Sequence, residues 1–519
     1  MRILQATHFR HLEDMKRGGD MRVLKERIGR LALLVAAVAL LLVGTAWSPN
    51  PGGVQAVRLP VVAGAFYPAN AAELTNMVDG FLASAKVPAV SEPVALVVPH
   101  AGYVYSGAVA AHSYSVLKGR KISRVVVIAP SHFESFPFAA VYDGDAYATP
   151  LGSIPVDKDF AARLARTPLV KLSSRGHIAS TRQGEHALEV ELPFLQRVLG
   201  QFSLVPIVMG DQSYETCRAL GVALAKLVKG NDTIIIASSD LSHYHPYEEA
   251  VALDHKTLDA IQAWDYLTMW RSFRMGTWEA CGGGPIIAAM IAAERLGATW
   301  AEVLKYANTG DTTGDRSRVV GYSAVVMSRS ADRQPSPEFS LNDSERRELL
   351  QGARRSVEAA VKHTEYLPAT PNDRALLQER GVFVTVTKKG ELRGCIGYVM
   401  PLKPLYQAVA EVAQAAALED PRFPPVTAKE LDQLEYEISV LSSFRRLLDV
   451  KQIEIGRHGL LMRQGSKEGV LLPQVAVQQH WDRHTFLEQA ALKADLPAQA
   501  WRNDDTDIFT FSALVFSRP

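Results

Sequence analysis

Histidine and aspartate side chains stand directly after three apolar runs of the sequence. His100 closes the first run, His132 closes the second, and Asp240 and His243 follow the third. Neutral imidazole binds iron, copper and zinc, and two histidines with one carboxylate form the facial triad of non-haem iron sites. A single histidine at a strand end is more often a hydrogen-bonded capping residue. Three at equivalent positions favour the ligand role, so we predict a metal pocket from His100, His132 and His243.

A further reactive group is the thiol of Cys281, in the segment EACGGGPII. Glycines follow it, Pro285 suits the first turn of a helix, and the dipole of that helix favours a thiolate. Cys281 is therefore a candidate nucleophile or soft metal ligand, and the alternative is an inert cysteine buried beside a turn. Glu185, His186 and Glu189 could orient a metal-binding side chain by hydrogen bonding to it. The alternative is that they form the polar start of a helix.

The elements that must position these groups are short apolar strands alternating with helical segments. Each strand run holds four to seven apolar residues, as is typical of strands buried on both faces. The runs are VALVVPH (94–100), RVVVIAPSH (124–132), FSLVPIVMG (202–210), NDTIIIASSD (231–240) and VVGYSAVVMS (319–328). The alternation predicts an α/β domain with a mainly parallel sheet covered by helices. Ligands bind outside the carboxyl ends of such strands, which is where the histidines stand.

A second domain is predicted from about 342 to 519. Residues 331–341 are polar and contain two prolines, which indicates a linker. Asn342 and Glu345 form a potential capping box at the start of a helix, and GVFVTVT–KKGE–LRGCIGYV is typical of a β-hairpin. We expect an α+β fold here, following the α/β domain of residues 57–330.

The N-terminal region is typical of a membrane anchor. Residues 1–30 are basic, residues 31–47 contain no charge, and residues 48–56 resemble a linker. A basic flank before an apolar stretch indicates a signal or signal-anchor, although 17 residues is short for a span of about 20. We expect a single transmembrane helix with the domains on the periplasmic side. A secreted, signal-cleaved protein is the alternative, and Met21 is an alternative start.

Composition limits the remaining classes of function. A length of 519 residues predicts two or three domains. Lys+Arg 56 against Asp+Glu 55 leaves a net charge of +1, which gives no electrostatic support for nucleic-acid binding. The three cysteines are far apart, so a disulfide framework or a structural zinc module is not expected.

Five motifs in the first domain, in this order, resemble the Memo (mediator of cell motility) family: VVPHAGYVYSG, APSHF, EHALEVELPFL, ASSDLSH and ACGGGPI. That family is similar in fold to the class III extradiol dioxygenases. The resemblance implies a pocket lined by Asp240, with His100, His132, His243 and Cys281 as metal ligands. It implies Fe(II), or alternatively Cu or Zn, and a small-molecule or peptide ligand. Ser242 stands where some relatives carry a cysteine, and we expect little effect on ligation.

Motifs in residues 342–519 resemble the AMMECR family: LRGCIGYV, DPRFPPVT, YEISVLS and GVLLPQVAVQQHWDRHTFL. Arg393, Cys395, Asp420 and Arg422 could converge in a groove there, and the alternative is that Cys395 and its glycines serve close packing of a strand. The fusion of the two domains resembles proteins B and A of the AmmeMemoRadiSam system, joined in one chain. That resemblance implies a radical-SAM partner, and this chain lacks the cysteine cluster such an enzyme needs.

Two main hypotheses for function follow. In the first, the protein is a non-haem iron or copper oxidoreductase in which Asp240 or His186 handles protons. In the second, it is a scaffold that holds a ligand or protein in a dioxygenase-like pocket without catalysis. A hydrolase with Cys281 as nucleophile is a third, weaker alternative.

Overall fold

The structure of this protein is a computed structural model that describes residues 56–178, 184–329, 339–401 and 403–517. The helices within these residues are α1 (Ala71–Ser84), α2 (Tyr103–Ser115), α3 (Lys158–Leu164), α4 (Leu192–Leu199), α5 (Tyr214–Leu227), α6 (Tyr247–Ala263), α7 (Tyr266–Met275), α8 (Gly283–Arg295), α9 (Thr309–Thr313), α10 (Asp343–Val361), α11 (Arg374–Leu377), α12 (Leu405–Leu418), α13 (Pro473–Gln478) and α14 (Arg483–Lys493).

The strands of the first domain are β1 (Val57–Arg58), β2 (Pro93–Val98), β3 (Arg124–Pro130), β4 (Ala139–Val141), β5 (Ala146–Thr149), β6 (Gly152–Pro155), β7 (Val170–Leu172), β8 (Ser203–Met209), β9 (Thr233–Ser238), β10 (His243–His245), β11 (Trp300–Asn308) and β12 (Val319–Ser328). The strands of the second domain are β13 (Val382–Lys388), β14 (Glu391–Tyr398), β15 (Leu434–Leu441), β16 (Arg445–Arg446), β17 (His458–Gln464), β18 (Lys467–Leu471) and β19 (Asp507–Phe516).

All five predicted apolar runs are strands of one sheet, in the order β10-β12-β2-β9-β3-β8-β4-β7, with β11 paired to β12. The central strands β2, β9, β3 and β8 are parallel. The flanks are largely antiparallel, since β12 runs against β2 and β4 against β8. The sheet is therefore mixed, which corrects the expectation of a mainly parallel one. The short connection from β11 to β12 favours this, because only antiparallel neighbours can be joined so closely.

Helices cover both faces of the central strands. Along β2, Ala95 and Val97 belong to one hydrophobic core, while Leu96 and Val98 belong to another. This alternation follows from the two-residue period of a strand. Helices α5 to α8 pack in the first core, and α1, α2 and α4 pack in the second. The α/β expectation is confirmed at this level, and the arrangement leaves the carboxyl ends of the strands for a site.

The second domain is built on an antiparallel sheet in the order β14-β13-β15-β19-β17-β18, with β16 paired to β19. The predicted hairpin forms β13 and β14, with positive φ angles at Lys389 and Gly390 in the turn. Asn342 and Glu345 form the predicted capping box at the start of α10. Of the predicted linker, only residues 339–341 are described.

The two domains share a hydrophobic core, and from residue 56 onward the chain forms one compact unit. Phe444, Phe509 and Phe511 of the second domain are buried in the same core as Tyr266 and Trp270 of α7. The rings of Tyr266 and Phe509 lie 5.7 Å apart in an edge-on arrangement. An apolar contact of this kind favours a fixed domain arrangement over a loose tether.

The predicted membrane anchor has to be corrected. Within the described residues, no helix has the length and apolar character that crossing a bilayer requires. The apolar segment 31–47, with its flanks 1–30 and 48–55, lies outside the described residues. The assignments of a transmembrane or signal-anchor helix and of a periplasmic location are therefore withdrawn.

Candidate metal centre

Three neighbouring strands deliver polar side chains to one edge of the large sheet. His100 lies two residues beyond β2, His132 two beyond β3, and Asp240 two beyond β9. Strand β9 pairs with both β2 and β3, so the three strand ends are adjacent. The rings of His100 and His132 lie 5.2 Å apart, edge to face. The parallel centre of the sheet thus brings residues distant in the chain into one pocket.

His100 is the buried member of this group. Its backbone N–H donates to Asp240 Oδ1 at 2.9 Å, and its Nδ1 lies 2.8 Å from Ser238 Oγ. Its Nε2 lies 3.2 Å from Cys281 Sγ. Burial lowers the pKa of the imidazole well below its usual value, and the neighbouring histidines lower it further. The ring is therefore neutral at pH 7, as a metal ligand requires.

The contacts of Ser238 fix which nitrogen of His100 carries the proton. Its hydroxyl lies 2.7 Å from the Ala187 carbonyl oxygen, 2.6 Å from Glu191 Oε1 and 2.8 Å from His100 Nδ1. A hydroxyl has one proton and can accept two hydrogen bonds, so it donates to the carbonyl. With that proton directed to the carbonyl oxygen, the hydroxyl oxygen accepts from His100 Nδ1–H, and Nε2 keeps its lone pair.

Glu185 fixes the orientation of His132 in the same way. Glu185 Oε1 lies 3.0 Å from His132 Nδ1, and Oε2 accepts from the His132 backbone N–H at 2.6 Å. The backbone N–H groups of His186 and Ala187 donate to Oε1. Burial alone raises the pKa of Glu185, but the hydrogen bonds from His132 outweigh it and the net shift is downward. Since the carboxylate can only accept, His132 Nδ1 carries the proton and Nε2 is free.

The Cys281 thiol completes the group, held by a turn that only glycines permit. A Cβ on Gly282 would collide with the Ser238 carbonyl oxygen, and the Gly282 N–H donates to Ser239 Oγ at 2.9 Å. The Asp240 N–H donates to Cys281 Sγ at 3.3 Å. Burial raises the pKa of the thiol, with Asp240 adding to the effect. The expectation that the helix dipole favours a thiolate here is therefore not met by the protein alone.

Two sets of donor atoms lie close enough to hold a metal ion. In the first set, the donors of His100, His132 and Cys281 lie within 4.8 Å of one another. The second set consists of His132, Glu185 and His186. Both oxygens of Glu185 are already engaged by N–H donors. The first set therefore has the more available ligands.

His243 stands apart from both sets. It begins β10, its Nδ1 lies 2.9 Å from the Leu241 carbonyl oxygen, and its backbone N–H donates to Glu279. Burial lowers its pKa, and His243 contributes to the low pKa of His100. Of the predicted triad, His100 and His132 share a donor set with Cys281. His243 lies near both histidines without belonging to that set, and its role as a ligand stays a prediction.

Asp240 and His186 form the walls of the pocket. Asp240 Oδ2 lies 3.9 Å from His100 Nε2, and burial raises the pKa of Asp240 to about 7. His186 stacks on His132 with ring centres 4.7 Å apart and contacts Phe66 at the same distance. Burial, followed by the effect of His132, lowers the pKa of His186 to about 4. His186 is therefore a neutral, uncharged wall at pH 7.

Sequence reasoning missed Gln212 and the buried partner Glu191. Gln212 donates to the Cys281 carbonyl oxygen at 3.0 Å and accepts from the Gly284 N–H at 2.6 Å. It follows the carboxyl end of β8, a fourth parallel strand, so the rule that found the histidines applies to it too. No comparable signal marks Glu191, which reaches the site through Ser238 from the start of α4.

In the second domain, three of the four predicted groove residues lie together. The Cys395 N–H donates to Asp420 Oδ2 at 2.9 Å, and Arg422 Nη2 donates to the same oxygen at 2.6 Å. Thr385 donates to Cys395 Sγ at 3.3 Å. Arg393 instead pairs with Glu430 at 3.2 Å. The contacts describe a backbone-bracing cluster around β14.

Comparisons with known proteins agree with this two-part architecture. Residues 58–326 match the family model of Memo-like proteins, and residues 350–516 match that of AMMECR1. A MEMO1 family protein of Methanopyrus kandleri is 38% identical over 284 residues, which cover 52% of this chain and 99% of that protein. A MEMO1 family protein of Aquifex aeolicus is 36% identical over 275 residues, again 52% of this chain and 99% of the relative.

A solved structure is also similar to part of the chain. The crystal structure of an uncharacterized protein from Pyrococcus horikoshii is 37% identical, covering 32% of this chain and 88% of that chain, with a TM-score of 0.31.

Proposed function

This chain belongs to the Memo-like protein family, and from that premise we propose that it is a metal-dependent redox protein whose metal ligands are His100, His132 and Cys281. The observation that carries the proposal is the approach of these three donor atoms to within 4.8 Å of one another. An AMMECR1 domain is fused to it.

The donor set suits a transition metal of the iron, copper and zinc group. Imidazole nitrogen and cysteine sulfur are poor ligands for magnesium or calcium, which prefer oxygen. The hydrogen bonds that Nδ1–H of His100 and of His132 donate to Ser238 and Glu185 leave Nε2 of both histidines with a lone pair. His100 Nε2 and Cys281 Sγ lie 3.2 Å apart, so both donor atoms border the space that an ion would occupy. The residues therefore fit such an ion.

A bound iron or copper ion would supply a centre that exchanges single electrons and binds small oxygen-containing ligands. The surrounding residues prepare the site for it. Glu185 and Ser238 hold the two imidazoles in the ligating tautomer, as outer partners of metal-bound histidines commonly do. Gln212 and Gly282 hold the cysteine turn. Iron is the metal that the family resemblance implies, and the sulfur ligand makes copper the alternative.

Among the described residues, His132 is the more accessible of the two histidine ligands. The His132 side chain is 27% exposed, whereas His100 is buried. Phe133 is 45% exposed and faces His186, with ring centres 6.4 Å apart. A small organic ligand would therefore enter beside His132 and contact aromatic carbon before it reaches the metal ligands. This arrangement supports the dioxygenase-like reading of the site.

Metal content tests the proposal. The full chain is purified without oxygen, and iron, copper and zinc are measured by mass spectrometry in the wild type and in His100→Ala, His132→Ala and Cys281→Ser. We expect a bound metal that each substitution strongly reduces. His255→Ala, an exposed histidine of α6 that belongs to neither donor set, is the matched control and should keep most of it. A triple variant combines all three substitutions. No metal in the wild type, or as much metal in the triple variant as in the wild type, would overturn the proposal.

The radical-SAM partner implied by the sequence resemblance stays a prediction. Co-purification with the full chain would test it. Repeating the experiment with the metal-free triple variant would tell whether such binding depends on the metal.

A further inference from the structure

A cavity of about 240 Å³ lies between the two domains, away from the histidine pocket. The first domain contributes Trp264 at the end of α6 and Glu294 of α8. The second contributes Arg445 and Arg446, which form β16, and Thr510 of β19. Pockets for drug-sized ligands usually reach 300 to 1,000 Å³ or so. The interdomain cavity therefore suits a smaller ligand.

The wall around Arg446 is rich in guanidinium groups. One carboxylate oxygen of Asp507, Oδ2, accepts a hydrogen bond from Arg218 Nε at 2.7 Å. Its other oxygen lies 3.4 Å from Arg295 Nη2 and 3.7 Å from Arg446 Nε. Asp507 is 2% exposed, and all three guanidinium groups are less than a quarter exposed. A single buried carboxylate is thus shared by three guanidinium groups, with little water to screen their mutual repulsion.

Other carboxylates also lie near these arginines, among them Asp505 beside Arg218. Glu294 accepts a hydrogen bond from Tyr266 at 3.1 Å and faces Arg445, Arg446 and Arg295. Arg445 lies near Asp265 as well. Of the charged side chains that line the cavity itself, two are the arginines Arg445 and Arg446, and one is the carboxylate Glu294. The cavity wall is therefore cationic.

Two hydrogen-bond donors at the cavity lack an acceptor among the described residues. One is the Nε–H group of Arg446, and the other is the indole N–H of Trp264, a residue that is 2% exposed. Buried donors are nearly always paired, by protein or by a bound group. Both donors belong to residues that line the same cavity. An acceptor that carries negative charge would satisfy both observations together.

From the charge and the donors we propose that this interdomain cavity binds a small oxyanion, namely a phosphate group or a small dicarboxylate. Guanidinium groups bind both through paired N–H···O contacts. Because residues of both domains form the walls, a bound anion stabilises the domain interface by mass action. The site shares no residue with the proposed metal centre.

Ligand-dependent unfolding of the full chain tests the proposal. The thermal midpoint is followed while inorganic phosphate, or malonate in a second arm, replaces chloride at constant ionic strength. We expect a saturable rise of the midpoint with at least one of these anions, and the arm that responds identifies the class. Arg446→Gln should abolish the rise. Glu294→Gln should increase it, because the variant removes the carboxylate that opposes an anion.

Arg354→Gln, on the exposed face of α10, is the control for a lost arginine and should respond like the wild type. If Arg446→Gln fails to fold, Arg445→Gln replaces it, since Arg445 is partly exposed to solvent. An equal rise in the wild type and in the arginine variant would mean a general salt effect and would overturn the proposal. So would the absence of a rise with both anions. Metal content should be the same in all these variants, which separates this test from that of the metal centre.

Discussion

Gln212 bridges the turn that holds Cys281, with its amide Nε2 3.0 Å from the Cys281 carbonyl oxygen and its Oε1 2.6 Å from the Gly284 nitrogen. Gln212 stands just before α5, whose first turn is tied to the second domain through the Tyr214 hydroxyl and Asp507 at 2.9 Å. The cysteine of the proposed metal centre is therefore braced by a residue whose own position depends on the interdomain contact.

Replacement of Gln212 by alanine should weaken metal binding while the chain stays folded. The substitution removes both hydrogen bonds of the turn, so the cysteine ligand is less well positioned. We expect about a tenfold loss of metal affinity, the low end for outer partners of a metal site. Competition with a chelator measures it. Gln196→Ala, which removes a similar bridge on α4, is the control. Equal affinity in both variants would show that the glycine turn keeps its shape unaided.

Replacement of Glu185 by glutamine should disturb His132 specifically. The carboxylate accepts from His132 Nδ1 and from three backbone N–H groups, and in glutamine one of the two accepting oxygens becomes an NH₂ group that cannot accept. We expect metal affinity to fall by about 10- to 100-fold. Glu134→Gln, two residues beyond His132 and paired with Arg175 on the surface, should bind metal normally. Normal binding by Glu185→Gln would contradict the role of Glu185 in fixing the tautomer.

Replacement of Asp507 by asparagine should strongly destabilise the chain. Asp507 is buried and faces Arg218, Arg295 and Arg446, so its loss removes the one carboxylate that these three guanidinium groups share. Breaking a buried ion pair on one side commonly costs about 3–5 kcal/mol. Denaturant unfolding measures it. Asp504→Asn, whose side chain is 97% exposed, should change stability by less than about 0.5 kcal/mol. Similar stability of the two variants would mean that water reaches the cluster.

Asp420 should make stability depend on pH in the acid range. Arg422 and the Cys395 N–H hold the pKa of this carboxyl well below its usual value of about 3.9. A folded-state pKa below the unfolded one contributes stability that is present above about pH 4. That contribution is lost as the pH falls through the folded-state value. Asp420→Asn should therefore cost about 2 kcal/mol at pH 7, and the difference from the wild type should shrink below pH 4. A pH-independent difference would contradict the assignment.

Several features of the fold could be predicted from local patterns. The five apolar runs became strands because each buries both faces, and the hairpin and the capping box depend on residues close in the chain. His100, His132 and Asp240 were placed at one edge because each follows a parallel strand. The antiparallel flanks could not be predicted in this way, since the direction of β12 against β2 depends on pairing between distant segments.

Which residues form the metal centre could be determined only from the tertiary structure. His243 follows a strand as His100 does, yet its ring is directed to the Leu241 carbonyl oxygen and it lies outside both donor sets. Cys281, from a turn before α8, belongs to a donor set instead. Gln212 reaches the site through the backbone of the Cys281 turn, and Glu191 reaches it through Ser238. A sequence pattern does not show such indirect contacts.

By itself, the sequence determined the residue types at the strand ends, the alternation that makes an α/β domain, and the start of a second domain. These depend on periodicity and on neighbours within a few residues. Only the tertiary structure decided which donors share a point in space, which nitrogen of each imidazole is free, and how Asp507 comes to face three arginines. Those relations depend on strand order and on packing between segments up to hundreds of residues apart, and local sequence carries no record of such distances.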